Sequence, residues 1–157
     1  MKWVTRERPK IDRLACPWLI LRFIDPQAQI LYVPAVKVLA VAADEDATPF
    51  DVPGVELTHS GPLCSFDAFL EKYQLEDPAL ARLAEIVRAA DTDTLDRSAP
   101  AAGLLAISLG LGANIVDDQE LLKTALPLYD ALYTWCRSLS GERHGWQPKK
   151  ILKEMGA

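Results

Sequence analysis

The chain has 157 residues, 50% hydrophobic and 25% charged, with a formal net charge of −5. That suffices for one domain with its own core, and the acidic balance excludes bulk affinity for nucleic acid. Three cysteines without CxxC spacing exclude a disulfide framework or zinc ribbon, and no apolar run is long enough to span a membrane.

Residues 3–5 (WVT) are β-prone, an edge strand or an extended arm. Residues 6–26 (RERPKIDRLACPWLILRFIDP) form a turn-plus-helix unit. Pro17 after Cys16 suits a first helical position, and Asp25-Pro26 suits a stop. Residues 29–33 (QILYV) read as a strand and 36–43 (VKVLAVAA) as a short helix, followed by the acidic loop 44–46. Residues 48–52 and 55–58 are short extended pieces around the turn Pro53-Gly54. Helices follow at 65–73, capped by Ser65, and from Pro78 with Asp77 as cap, ending just before Asp91. Residues 101–110 (AAGLLAISLG) make a small apolar helix expected to be buried. A long helix opened by Asp117 or Asp118 covers 119–139, with Pro127 as a kink. The class is α+β: one helix-rich domain over 1–139, its small sheet drawn from the N-terminal half, and an exposed tail over 140–157.

Two stretches carry groups with chemistry. Arg6, Arg8, Lys10, Arg13 and Arg22 crowd around one short helix whose N-terminus adds partial positive charge. Such residues either lie solvated and paired with Glu7, Asp12 and Asp25, or gather around an anion. The second stretch, HSGPLCSFD, places His59 in a Gly-Pro loop ahead of Cys64 and Asp67. Loops between elements are where sites are commonly built, and imidazole, thiolate and carboxylate are all competent metal ligands. Asp91 completes such a set if the helix ends converge; otherwise it is a solvated acid, as Asp93 is read to be. Cys64 and Cys136 read as buried small hydrophobes. Cys16, at a helix start beside arginines, is the candidate reactive thiol.

The ordered blocks KIDRLACPWLILRFIDP, FDVPGVELTH, LCSFDAFLEKY, AEIVRAADTDTLD, AAGLLAISLGL and LYDALYTWC resemble the chromate-resistance family ChrB, also labelled "chromate resistance exported protein". The similarity runs from residue 3 to 137 and matches the C-terminal domain of longer members. It implies a role in chromate resistance or in chromate-dependent control of efflux. The matching blocks contain Asp12, Arg13, Trp18, Arg22, His59, Cys64, Phe66, Asp67 and Asp91. Asp67 stands where the family often has glutamate, one methylene longer.

Two functions are therefore in contention. In the first, Arg6, Arg8, Asp12, Arg13, Trp18 and Arg22 bind a small inorganic anion such as chromate or sulfate. In the second, His59, Asp67 and Asp91, with Cys64 as a candidate fourth ligand, hold a divalent transition metal in an enzyme or metal-binding protein. Chromate reduction by a thiol lacks a partner cysteine at useful spacing. MKWVTRERPK has no signal-peptide core, so the cytoplasm is the expected compartment, without nucleic acid or membrane as partner. Self-association is left open.

Overall fold

The computed structural model describes residues 1–147. Three short strands, β1 (Lys2–Arg6), β2 (Gln29–Val33) and β3 (Ala47–Pro49), form a parallel sheet in the order β2-β1-β3. β1 pairs with β2 from Lys2↔Gln29 to Arg6↔Val33, and with β3 from Lys2↔Ala47 to Val4↔Pro49. The helices are α1 (Asp12–Leu19), α2 (Val38–Asp44), α3 (Ser65–Lys72), α4 (Pro78–Asp91), α5 (Ala101–Asn114) and α6 (Asp118–Thr134). The architecture is α+β, helix-rich, with the small sheet supplied by the N-terminal part of the chain.

The WVT segment is the central strand, neither an edge nor an arm: Trp3, Val4 and Thr5 are all fully buried. A parallel strand covered on both faces shows no apolar–polar alternation, so five residues give no clue to its place in a sheet. Side-chain alternation along β1 then divides the core. Trp3 and Ile30 join the large cluster beneath α1, α3, α4 and α6, where the Trp3 and Phe69 rings lie 5.6 Å apart, whereas Val4 meets Val38, Ala47 and Val52 under α2.

α1 begins at Asp12, so Pro17 lies inside the helix instead of opening it. A proline there removes the donor owed to the carbonyl four residues back. That carbonyl, of Arg13, accepts instead from the Tyr32 hydroxyl at 2.7 Å, so β2 repairs what the proline breaks. The helix continues as a wider π turn, Ile20–Ile24, and stops at Asp25 as the sequence indicates. Residues 55–58 form no strand, only a bridge from Leu57 to Phe50. Ser65 is the first residue of α3 and not its cap; Asp67 takes that task, its carboxylate accepting from the Cys64 amide at 3.0 Å. Asp77 caps α4 ahead of Pro78, accepting from the Ala79 amide at 2.7 Å. α5 runs to Asn114, and only Ala101, Leu104 and Ser108 of it are buried. Residues 140–147 are exposed, and the remainder of the expected tail lies outside the described residues. No described helix is long and apolar enough to cross a membrane.

Candidate functional site

In the order β2-β1-β3, the chain steps from β1 to β2 on one side and then crosses to β3 on the other. The switch point lies between β1 and β3, and in parallel sheets the crevice at the carboxyl ends of such strands is where ligands bind. Arg6 ends β1, Asp12 opens α1 just beyond it, and Asp51 follows β3 by two residues. The turn Gly61-Pro62, closed by reciprocal amide–carbonyl bonds between Ser60 and Leu63, sets His59 over this crevice. Gly61 takes φ +57°, where a side chain would be strained. Asp91, the last residue of α4, arrives from the helical layer.

His59 Nε2 lies 2.9 Å from Asp91 Oδ2, 3.3 Å from Asp12 Oδ2 and 3.4 Å from Asp51 Oδ1. Each acid is fixed from behind. Asp12 Oδ2 accepts from the Ser65 amide at 2.6 Å, at the start of α3. Asp51 accepts from the Ser65 hydroxyl at 2.7 Å and from Arg6 Nη2 at 2.9 Å, with Arg13 Nε at 3.9 Å. Asp91 Oδ1 accepts from the Asp12 amide at 3.4 Å. Asp12 Oδ1 is buried and accepts no hydrogen bond. Ile11 (φ +23°) and Asp51 (φ +53°) both hold backbone conformations that side chains disfavour, one on each side of the cluster.

The close approach of the carboxylates shifts their protonation. Burial, reinforced by the charge of Asp51, raises the Asp12 pKa above the usual carboxylate range. Burial, then the charges of Asp12 and Asp51, push Asp91 up to about 6. The hydrogen bond to Asp12, then the charges of Asp12, Asp91 and Asp51, raise His59 to about 9. With all three acids ionised, two guanidiniums and one imidazolium balance them and leave the metal-free cluster formally neutral.

Asp12, His59 and Asp91 each offer one ligand atom, all within 4.8 Å of one another. Metal–oxygen and metal–nitrogen bonds of about 2.1 Å place neighbouring ligand atoms about 3 Å apart. The observed 2.9 and 3.3 Å from His59 fit that spacing. One imidazole and two carboxylates suit a first-row divalent ion and leave coordination positions open.

Arg6 and Arg13 thus stand beside this cluster, but the other sequence candidates are held elsewhere. Arg8 donates to the Gly112, Ile115 and Val116 carbonyls at the end of α5 and pairs with Asp118. Arg22 grips Asp130 through two bonds of 2.9 Å, and Trp18 Nε1 donates to the same carboxylate at 2.7 Å. Asp67 is bound by Arg88 at 2.9 and 2.6 Å, and Cys64 Sγ donates to it at 3.3 Å. Phe66 is core. Cys16 is fully buried, and burial, then the charge of Asp12, hold its thiol well above its ordinary pKa, so the expectation of a reactive thiolate is corrected. Asp51 and Ser65 are members of the cluster that sequence reasoning passed over. The available signal for Asp51 was an acid at the carboxyl end of a strand ahead of a Pro-Gly turn.

The family model described as "ChrB, C-terminal domain" matches residues 3–136. The chain is 37% identical over 134 residues to Protein ChrB of Cupriavidus metallidurans, a match covering 85% of this chain and 40% of that protein. The chain therefore spans less than half the length of this curated relative. No solved structure gives a significant match.

Proposed function

The chain belongs to the ChrB C-terminal domain family, and from that premise we propose that it serves chromate resistance through a divalent-cation centre made by Asp12, His59 and Asp91. The observation that carries this reading is the convergence of those ligand atoms from the start of α1, the 59–63 loop and the end of α4. The bare, buried Asp12 Oδ1 supports it, because a carboxylate oxygen out of water and without a donor is costly unless a cation or a proton compensates.

The cation also reconciles the centre with an anionic ligand. A dication in place of the imidazolium proton turns the neutral cluster into one carrying a net positive charge. A cation held by Asp12, His59 and Asp91 would supply the positive charge that an oxyanion such as chromate or sulfate needs, with Arg6 and Arg13 beside the cluster to bind the anion's other oxygens. Arginines alone are the weaker reading, since Arg6 Nη2 already donates to Asp51 and the Arg13 guanidinium lies 3.9 Å from the same carboxylate, although Arg6 Nε and Arg13 Nε have no hydrogen-bond partner among the described residues. Three buried free thiols fit a reducing cytoplasm as the working compartment.

Elemental analysis of protein purified without a histidine tag tests this directly. About one equivalent of a first-row divalent metal is expected in the native protein and in Asp67→Asn, and little in His59→Ala or Asp91→Asn. Sulfate or chromate should bind the loaded form and not the chelated one. A native protein that takes up no divalent metal, or a His59→Ala variant that keeps it, sinks the proposal.

A further inference from the structure

α5 carries no charged residue from Ala101 to Asn114. A helix that is apolar all round belongs inside a core, yet Ile107 and Leu109 are 49% and 51% exposed, and Val116 just past its end is 83% exposed. Beside it an apolar groove of about 430 Å³ runs along α6, lined by Leu104, Ile107, Leu128, Leu132 and Trp135. We propose that this face is a homodimer contact, in which α5 crosses α5 of a second copy in antiparallel fashion about a two-fold axis near Ile107. The inference stands independently of the metal centre.

Three observations favour a second copy over a different partner. A partner presenting charges to this helix would bury them unpaired, whereas the helix itself offers a charge-free surface of matching length, and a two-fold contact is self-complementary. Next, Gly103 and Gly110 face open space: a Cβ on either meets nothing within 4 Å. Nothing among the described residues requires glycine there, although each weakens the helix; a second backbone approaching closely gives both a reason. With Ala106 and Ala113 they lie at helical spacing along the exposed surface. Finally, the antiparallel crossing brings the turn before one α5, which holds Arg97, towards the turn after the other, which holds the exposed Asp117. Arg97 is exposed and has no salt-bridge partner among the described residues.

A 14-residue helix is about 21 Å long. With its groove it offers a contact on the order of 1,000 Å² summed over both copies, the lower bound of specific association, so a dimer of roughly micromolar strength is expected. Sedimentation velocity on the native protein from about 1 to about 200 μM should show monomer giving way to dimer. Ile107→Lys and Leu109→Lys should each weaken assembly at least roughly tenfold, with circular dichroism unchanged, and Leu39→Lys on the exposed side of α2 should not. Gly110→Ala separates the alternatives by sign: it should strengthen the isolated helix while weakening the dimer. A chain monomeric throughout the range assigns the face to a different protein and overturns the homodimer, as does a dimer indifferent to both α5 lysines.

Discussion

The imidazole of His59 gains three carboxylate neighbours on folding, which raises its pKa from 6.5 to about 9. A cationic group raised in this way contributes its stability in full below about pH 6.5 and loses it as pH climbs through about 9. Asp91, raised from 3.8 to about 6, acts in the same direction at lower pH, because the folded state retains a proton that the unfolded chain has released. The metal-free protein should therefore lose thermal stability from pH 6.5 to 9. The His59 share is about 1–2 kcal/mol once solvent screening of a partly exposed side chain is allowed for. Over the same interval metal affinity should rise, since the proton and the cation compete for one nitrogen. Melting curves of chelated protein at several pH values check the first half, and a His59→Gln variant should flatten them. A melting temperature constant from pH 6.5 to 9 would remove the ion-pair account.

At the scale of elements, α1 illustrates how tertiary contacts overrule a local signal. Pro17 marks a helix start when read locally, yet the helix extends a turn further back because Tyr32 on β2 satisfies the carbonyl that the proline leaves bare. Tyr32→Phe should cost about 1–2 kcal/mol by urea unfolding, the cost of a stranded backbone acceptor. In a Pro17→Ala background the same change should cost less, because the alanine amide restores a donor to the Arg13 carbonyl. Equal losses in both backgrounds would show that the hydroxyl matters for another reason. The start of α4 is the contrasting case: Asp77 followed by Pro78 is a complete local signal, and the structure follows it.

Over the whole molecule, the proposed ligands tie three parts of the fold together: Asp12 at the carboxyl edge of the sheet, His59 on a loop, and Asp91 at the end of the helical layer. Cation binding should then stabilise the domain as a unit. At a free metal concentration of about 100 Kd the gain is about 2.7 kcal/mol, a rise of roughly 5–10 °C for a domain of this size. Scanning calorimetry of native and His59→Ala protein with and without added manganese or zinc measures it, and a rise that persists without His59 would point to binding elsewhere.

The sequence by itself determined the α+β class, the caps of α4 and α6, the stop at Asp25, the family, and the grouping of His59 and Asp91 as candidates. Each of these rests on local chemistry or on an ordered set of blocks. Only the tertiary structure decided that β1 is central, that Asp51 and Ser65 brace the cluster, and that Asp67 pairs with Arg88 and Arg22 with Asp130, apart from it. The reason is range: Asp12 at the start of α1 and Asp91 at the end of α4 are brought together by helix packing, and no spacing along the chain encodes which acids on neighbouring helices point at the same imidazole.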